Sequence, residues 1–444
     1  MKKPLLNFWQ IWNMSFGFLG IQFAWGLQMA NMSAIYNYLG AKPNEIPFLW
    51  LAVPLTGLLV QPIMGYLSNS TWTGLERRKP YFLIGAILSS LALIAMPNSS
   101  SLWMAAGLLW VLDASINSST EPFRALIADK LPTEQQTRGY TMQNVFIGLG
   151  TVIASALPWM MTNWFHVVND GTSAIPLSVK LSFYIGAVAF FGAVVYTIVT
   201  TKEYPPEDIK PFEAEKQKNN GFGHGIKQIT QVIAAMPTVI QQLIAMPAVM
   251  KQLVAVQFFT YLGLFLMWFY FGTATAKSVF GATSPQDPAF SIGIEWGGIC
   301  FAFYSVVTFV FSFALPYIAE KLGHNRTYFL CLLCGGAGLL SVGGINNQYG
   351  LLLSMAGVGI AWAGILSMPY AIIARHLPPN KIGMYVGIFN FFIVIPEILA
   401  ALFFGWIMGN LLNNNELHAV MTGGAMMLIA ALIALTVKDK APVW

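Results

Sequence analysis

The stretch LWMAAGLLWVLDASINSSTEPFRALIAD, residues 102–129, decides the class of this chain. Its first part is apolar, as a membrane-spanning helix requires, and its second part carries carboxylate, amide and guanidinium side chains. An ionisable side chain at bilayer depth costs at least about 2.5–3.5 kcal/mol. Asp113, Asn117, Glu121 and Arg124 follow at spacings of 4, 4 and 3 residues, so they share one helical face. We expect that face to line a water-accessible cavity rather than lipid.

The rest of the chain extends the membrane character of this stretch. Of its 444 residues, 56% are hydrophobic and only 9% are charged, and its mean hydropathy is +0.62. Because a soluble domain carries about 25% charged residues, most of this surface must face lipid. A spanning helix needs about 20 mainly apolar residues. Twelve spans are predicted, at 11–36, 47–68, 80–97, 102–127, 140–161, 180–200, 251–276, 293–318, 327–346, 350–375, 383–409 and 418–437.

The distribution of basic residues predicts the orientation. If both termini are cytoplasmic, the cytoplasmic segments hold 19 of the 23 Lys and Arg residues. The opposite side then holds only Lys42, Lys180 and Lys277, and Arg124 lies within a helix. Cytoplasmic loops carry the excess of Lys and Arg. Both termini and the long central loop are therefore predicted to be cytoplasmic.

The chain is predicted to consist of two six-helix bundles, 1–200 and 251–444, joined by a cytoplasmic amphipathic linker, 201–250. The run Glu121-Pro122-Phe123 in the first half has an echo in Met368-Pro369-Tyr370 of the second. Prolines ten residues apart divide the linker into short interfacial helices, which we interpret as a tether, with a regulatory role as the alternative. Two pseudo-symmetric halves are typical of transporters that bind substrate between them, midway across the membrane.

The polar face of the fourth span supplies candidates for proton coupling and substrate binding. At 1.5 Å per residue, Asp113 lies about 16 Å in from the outer end, near mid-bilayer. A carboxylate in a partly desolvated cavity is suited to bind and release a proton, so Asp113 and Glu121 are proton-coupling candidates. Arg124 presents a fixed fork of donors to sugar hydroxyls, and Asn117 an amide. The structural alternative is a Glu121–Arg124 ion pair, with Asp113 bonded to Asn117.

Polar residues in other spans add to this set. Glu397 follows Pro396 near mid-depth of the eleventh span and is a further proton-coupling or substrate candidate. Gln22, Trp25 and Gln28 interrupt the apolar first span. Amides pair with sugar hydroxyls and aromatic rings stack on the sugar face, so these three are substrate-binding candidates, with interhelical contact as the alternative. Glu295, near the outer end of the eighth span, is interpreted as an interfacial or gating residue.

Several function classes lack the residues they need. The basic residues form no stripe with interleaved aromatic residues, so nucleic-acid binding is not expected. Cys300, Cys331 and Cys334 lie in apolar segments without a neighbouring Cys/His pair, which indicates packing rather than a metal or redox site. The chain has no P-loop, nucleophile constellation or zinc-ligand cluster. We therefore expect neither an enzyme nor a cofactor.

Four stretches together resemble the sucrose transporters, the glycoside–cation symporters of the major facilitator superfamily. The resemblance extends over both halves and is most specific in the fourth span. It implies that Asp113 is the proton-coupling aspartate, that Arg124 is the substrate-associated arginine, and that Arg77 and Arg78 belong to a cytoplasmic gate. The four stretches are 20–28 (GIQFAWGLQ), 60–68 (VQPIMGYLS) followed by 76–81 (ERRKPY), 112–117 (LDASIN) with 121–129 (EPFRALIAD), and 387–390 (GIFN) through 394–397 (VIPE).

The same resemblance directs attention to two further residues. Asn390 lies in the eleventh-span stretch and is a substrate-binding candidate, and Asp129 ends the fourth-span stretch and is a gating candidate. Glu121 and Glu397 stand where plant members have uncharged residues. These departures and the short loops suggest a bacterial relative that takes up maltose or another α-glucoside.

The expected function is import of a disaccharide or related glucoside together with protons. We expect a monomer in the cell inner membrane that works by alternating access. Sodium-coupled sugar symport and proton-coupled export of small molecules remain alternatives, although amides in the first span argue against an exporter with an apolar pocket. A membrane enzyme or a non-transporting sugar sensor is the alternative from a different class.

Overall fold

The structure is a computed structural model, and it is helical throughout its described part. No strand occurs in that part, and the single β-bridge joins Thr73 to Glu76 within a turn. The structure describes residues 4–69, 73–169, 174–203, 248–376 and 382–437.

Twelve helices of 17 residues or more follow one another along these ranges. Short helices at Phe8–Ser15 and Ile46–Leu49 lead into the first and second of them. The twelve are α1 (Gly17–Tyr38), α2 (Ala52–Asn69), α3 (Lys79–Ala95), α4 (Leu102–Lys130), α5 (Thr133–Asn163), α6 (Leu177–Thr200), α7 (Ala248–Ser278), α8 (Pro288–Leu322), α9 (His324–Ser341), α10 (Gln348–His376), α11 (Ile382–Asn410) and α12 (Glu416–Ala434).

Each of the twelve predicted spans coincides with one of these helices. The largest difference in a boundary is at α5, which begins at Thr133 rather than at residue 140. The residues from Glu134 to Arg138 are polar and therefore lie outside the predicted span. They are nevertheless helical, because helix formation depends on the backbone and does not require an apolar sequence. The first two spans are each divided into a short and a long helix.

Among the residues that the structure describes, ten helical segments are long and apolar enough to cross a membrane. The two long helices outside that set are α1 and α4. These are the helices that carry the polar candidates Gln22, Gln28, Asp113, Glu121 and Arg124. Helices that face lipid tolerate few polar side chains. The lower apolar content of α1 and α4 therefore indicates that these two helices bring polar groups into the interior of the bundle.

The helices form two groups, α1–α6 before residues 204–247 (the central segment) and α7–α12 after them. Each group packs mainly within itself. In the first group α1 packs on α5 and α6, and α4 packs on α2 and α3. In the second, α7 packs on α12, and α9 on α10 and α12. The α7–α12 crossing depends on Gly263 and Gly423, because a Cβ at Gly263 would lie 2.5 Å from the Gly423 carbonyl oxygen. Small residues let membrane helices approach in this way.

Contacts between the two groups lie toward one end of the bundle. The Tyr270 hydroxyl of α7 donates to the Pro43 carbonyl oxygen at 2.7 Å. The rings of Tyr38 and Phe290 meet edge to face with centroids 5.4 Å apart. Helix α8 also packs along α5, and α11 along the short helix Ile46–Leu49. This end carries the loops that follow α1, α5 and α7, so it is the predicted outer end.

Candidate functional site

The polar face of α4 runs from a buried end to an exposed end. The side chains of Asp113 and Asn117 are buried, with 0% and 2% exposure. The side chain of Glu121 is 27% exposed and that of Arg124 is 52% exposed, and they form an ion pair at 2.9 Å. Water therefore reaches this face from the Arg124 end. The expectation that the whole face is water-accessible is wrong for Asp113 and Asn117 in this conformation, because α1 and α2 cover them.

The Asp113 carboxylate contacts α1 instead of water. Gln28 Nε2 donates to Asp113 Oδ1 at 3.1 Å and to Oδ2 at 3.3 Å. Both residues are fully buried, and Gln28 Oε1 has no hydrogen-bond partner. The amide of α1 and the carboxylate of α4 thus form one buried unit, with one amide oxygen unsatisfied.

Asn117 lies one turn of α4 beyond Asp113, toward Arg124, and joins α4 to α2. Its Nδ2 donates to the Asp113 backbone carbonyl at 2.9 Å and to Thr56 Oγ1 at 3.3 Å. Gln61 Nε2 donates to Asn117 Oδ1 at 2.7 Å. Both contacts of the structural alternative therefore occur, the Glu121–Arg124 ion pair and a bond between Asn117 and Asp113, the latter through the Asp113 backbone carbonyl. Asn117 therefore holds α2 and α4 together.

The other two candidates of α1 are less buried than Gln28. Gln22 and Trp25 are partly exposed, and the Thr151 hydroxyl of α5 donates to Gln22 Oε1 at 3.0 Å. Gln28 is buried against α4, and Trp25, three residues earlier, is its neighbour on the surface of α1. Gln22 thus contacts α5 and Gln28 contacts α4, with Trp25 between them on the surface of α1.

Glu397 of α11 lies in the second group of helices, within a cluster of aromatic hydroxyls. It is 8% exposed and lies within electrostatic range of Tyr261 of α7. Tyr261 also interacts with Tyr370 of α10, and Tyr370 with Arg124 of α4. Arg124 of the first group of helices therefore lies near Tyr370 of the second. Asn390 also belongs to α11, but its side chain lies outside the described residues.

Two tryptophans missed by the sequence analysis lie beside this cluster. The Trp268 ring of α7 and the Trp362 ring of α10 meet edge to face with centroids 5.7 Å apart. Trp362 also meets the Tyr261 ring at 6.5 Å, and both tryptophans are partly exposed. Tryptophan is enriched at membrane interfaces, so its occurrence near the middle of a predicted span was the signal that could have identified these residues as site candidates.

The three gating candidates lie together beyond the exposed end of α4. Arg78 Nε donates to Asp129 Oδ2 at 2.7 Å, and Arg77 Nη1 lies 3.9 Å from the same oxygen. Arg78 Nη1 also donates to Ser68 Oγ at 2.8 Å. The arginines thus tie the loop between α2 and α3 to the end of α4. Burial and the neighbouring Arg78 lower the pKa of Arg77, and Asp129 opposes this.

Glu203, which follows α6, is a further member of this cluster. Its Oε1 accepts from the backbone N–H groups of Arg78 and Lys79 at 2.9 and 3.1 Å, so it caps the start of α3. Its own backbone N–H donates to Glu76 Oε2 at 2.8 Å. Burial raises the pKa of the Glu203 carboxyl, although these two backbone donors act in the opposite direction.

The residues of the candidate site are carboxylate, amide, guanidinium and aromatic side chains. No group of three His, Cys, Asp or Glu side chains in the described ranges could hold a metal ion. The arrangement places a buried carboxylate, a fixed cation and an aromatic pair on helices from both groups. It can exchange a proton, donate several hydrogen bonds and stack against an apolar ring face.

Comparison with known proteins identifies the family of the chain. The family model for the Major Facilitator Superfamily matches residues 14–401 and 253–444. The sucrose transport protein SUC4 of Arabidopsis thaliana is 22% identical, over 94% of this chain and 87% of that protein. The sucrose transport protein SUT1 of Oryza sativa subsp. japonica is 24% identical, over 86% of this chain and 79% of that protein.

Solved structures of transporters share the fold. The nucleoside transporter NupG has a TM-score of 0.68 at 12% identity, covering 97% of this chain and 99% of that chain. The peptide transporter POT in complex with sulfate has a TM-score of 0.69 at 14% identity, covering 98% of this chain and 96% of that chain. The chain therefore belongs to the major facilitator superfamily, within which it is similar to the sucrose transport proteins.

Proposed function

We propose that this chain imports a disaccharide or other glucoside, of the maltose or sucrose type, together with protons by alternating access. The observation that carries the proposal is the buried Gln28–Asp113 unit at the closed end of a polar face that opens to water at Arg124. The names of the related sucrose transport proteins support a sugar as substrate. An apolar drug pocket would not need these amides and charges.

The proposed architecture is twelve transmembrane helices in two six-helix halves, 1–200 and 251–444. Helix packing within each group supports two halves, and Pro122 of α4 and Pro369 of α10 lie at similar distances from their helix ends. Of the proposed linker, 201–250, residues 204–247 lie outside the described residues. The excess of basic residues supports cytoplasmic termini, and we place the protein in the cell inner membrane as a monomer.

Contacts at the outer end and exposure of Arg124 at the other support a conformation open to the cytoplasm. In the proposed cycle, sugar and proton leave to the cytoplasm from such a conformation, and the Gln28 amide then bonds the charged Asp113 carboxylate. A buried carboxylate without a partner costs several kcal/mol, so Gln28 stabilises the empty carrier. When the site opens outward, a proton on Asp113 weakens this pairing and frees the amide for a sugar hydroxyl.

The remaining candidates have complementary proposed roles. Arg124 and Asn117 donate to sugar hydroxyls, with Gln22, Trp25 and Asn390 at the edge of the site. Glu121 and Glu397 assist proton movement between the cytoplasm and Asp113. The pairs that Arg77 and Arg78 make with Asp129 change as the cytoplasmic side closes, so we assign them to the gate.

Transport by the purified chain in proteoliposomes tests the proposal. Addition of maltose or sucrose outside should alkalinise the external medium, and a protonophore should abolish sugar accumulation. Accumulation that requires sodium, and stops when choline replaces it, would establish the sodium-coupled alternative instead. Sugar-independent proton uptake coupled to efflux of another solute would establish export and contradict the proposal.

A further inference from the structure

Glu295 of α8 is a buried carboxylate that the proposed proton and sugar steps do not use. It lies 7 residues from the start of α8 and is 4% exposed. Thr162 Oγ1 of α5 donates to Glu295 Oε1 at 2.7 Å, and Ser178 Oγ of α6 donates to the same oxygen at 2.9 Å. Asn169 interacts with the carboxylate as well and fixes Ser178 by accepting its backbone N–H at 3.0 Å.

All of these donors precede the central segment, whereas Glu295 follows it. The hydrogen bonds of Glu295 therefore cross the boundary between the two groups of helices. Glu416 differs from Glu295 in this respect. Its carboxylate is also buried at the outer end, but it pairs with Lys277 of its own group of helices. Separation of the two groups would leave the Glu416 pair intact and would remove every donor described here from Glu295.

The boundary beside Glu295 is packed at backbone distance. Gly298 follows Glu295 by three residues on the same face of α8, and a Cβ at Gly298 would lie 2.3 Å from the Ser155 carbonyl oxygen of α5. Ser155 and Thr162 are seven residues apart, so they share a face of α5. The seam between α5 and α8 thus has a close backbone contact at its deeper end and the Glu295 cluster at its outer end.

We propose that Glu295 is the latch of the outer gate, and that its bonds to Thr162 and Ser178 hold the α5–α8 seam closed while the transporter is open to the cytoplasm. This rests on the proposed alternating access. The donors are available only when the seam is closed, so the latch contributes to the free-energy difference between the two conformations. When the seam opens, external water replaces the donors.

The test measures the gate directly, without sugar or protons. Spin labels on exposed outer residues of the two groups, Ser100 and Asn346, report their separation in the full chain in lipid nanodiscs. The three native cysteines are replaced beforehand. Gly298→Leu is the reference for an open seam, because its side chain has no room in the closed one.

The decisive variant is Thr162→Val with Ser178→Ala, which leaves the carboxylate buried without these donors whenever the seam is closed. We expect the ratio of long to short label distances to rise by at least about tenfold. Adding Glu295→Met should restore the original ratio, since replacing both partners by apolar groups is nearly neutral. Glu416→Gln should leave the ratio unchanged.

An unchanged distance distribution in the double variant would overturn the latch, and so would a shift that Glu295→Met fails to reverse. The second result would mean that the two hydroxyls act through packing alone. Both outcomes are independent of whether the chain carries sugar. Failure of sugar transport in proteoliposomes, with the distances behaving as expected, would overturn the proposed function and leave the latch standing.

Discussion

Gln28 Nε2 lies 3.1 Å from Asp113 Oδ1 and 3.3 Å from Asp113 Oδ2, so one amide group spans both oxygens of a buried carboxylate. The two residues are separated by 85 positions in the chain and meet because α1 packs against α4. The carboxylate has no exposure to water, so a change in its charge must be balanced by this amide or by whatever replaces it. This makes the pair a candidate switch between the empty and loaded carrier.

Asp113→Asn should uncouple sugar movement from the proton gradient. The neutral amide binds and releases no proton. A pH gradient can therefore no longer favour one conformation over the other through this residue. In proteoliposomes that are acidic outside, wild-type protein should accumulate sugar, whereas the variant should only equilibrate it. Sugar exchange should persist. Asp287→Asn, at the N-cap of α8, is the control. Full accumulation by Asp113→Asn would remove the coupling assignment.

Gln28→Leu should slow the return of the empty carrier. Without the amide, the charged Asp113 is buried with no donor from α1, and a hydrogen bond to a charged group contributes about 1.5–3 kcal/mol. Net uptake should fall roughly tenfold or more, while exchange, in which the carrier stays loaded, should change little. Gln135→Leu, which loses its hydrogen bonds to the Leu6 backbone away from the candidate site, is the matched control. Equal losses of uptake and exchange would indicate a binding defect instead.

The helices were predictable because their signals are local. Apolar runs and the prolines, glycines and charges that interrupt them predicted twelve segments, and the spacing of Asp113, Asn117, Glu121 and Arg124 predicted a shared face of α4. The spacing could not predict which neighbour covers that face. The burial of Asp113 depends on how α1 and α2 cross α4, which is a property of packing rather than of periodicity.

Other features were hidden for the same reason. Trp268 and Trp362 are distant in the chain, and their contact exists only because α7 lies near α10. Glu203 caps α3 across 125 positions of sequence, whereas capping signals in a sequence are read within one turn. Glu295 was recognised as interfacial, but its donors from α5 and α6 were not, since the pairing of α8 with α5 joins helices on opposite sides of the central segment.

Trp362→Ala should weaken sugar binding more than it slows transport. We expect the partly exposed Trp268–Trp362 pair to stack on the apolar face of a sugar ring, and loss of one ring should raise KM by about tenfold. The measurement is the concentration dependence of uptake, with Trp362→Phe partly restoring KM. Trp406→Ala is the control, because that side chain lies in α11 and is 65% exposed. An unchanged KM for Trp362→Ala would exclude the aromatic pair from the binding site.

Glu203→Gln should become stabilising relative to wild type as the pH rises. Burial raises the pKa of the Glu203 carboxyl, so the folded chain holds this proton more tightly than the unfolded chain. The Glu203 carboxyl therefore contributes most to the free energy of unfolding below the pKa that it has in the unfolded chain. This contribution is lost as the pH rises through the higher pKa that it has in the folded chain. The facing charged groups Glu76, Arg78 and Lys79 remain in both proteins.

Thermal unfolding in detergent at mildly acidic and at neutral pH measures this effect. Near the acidic limit, wild-type protein with a protonated Glu203 and the glutamine variant should give similar Tm values. The Tm difference should then grow in favour of the variant toward neutral pH. Glu134→Gln, which alters an exposed carboxylate at the start of α5, should give no such trend. A Tm difference that moves in favour of wild type as the pH rises would mean that the backbone donors of Arg78 and Lys79 outweigh burial, with Glu203 acting as a charged cap of α3.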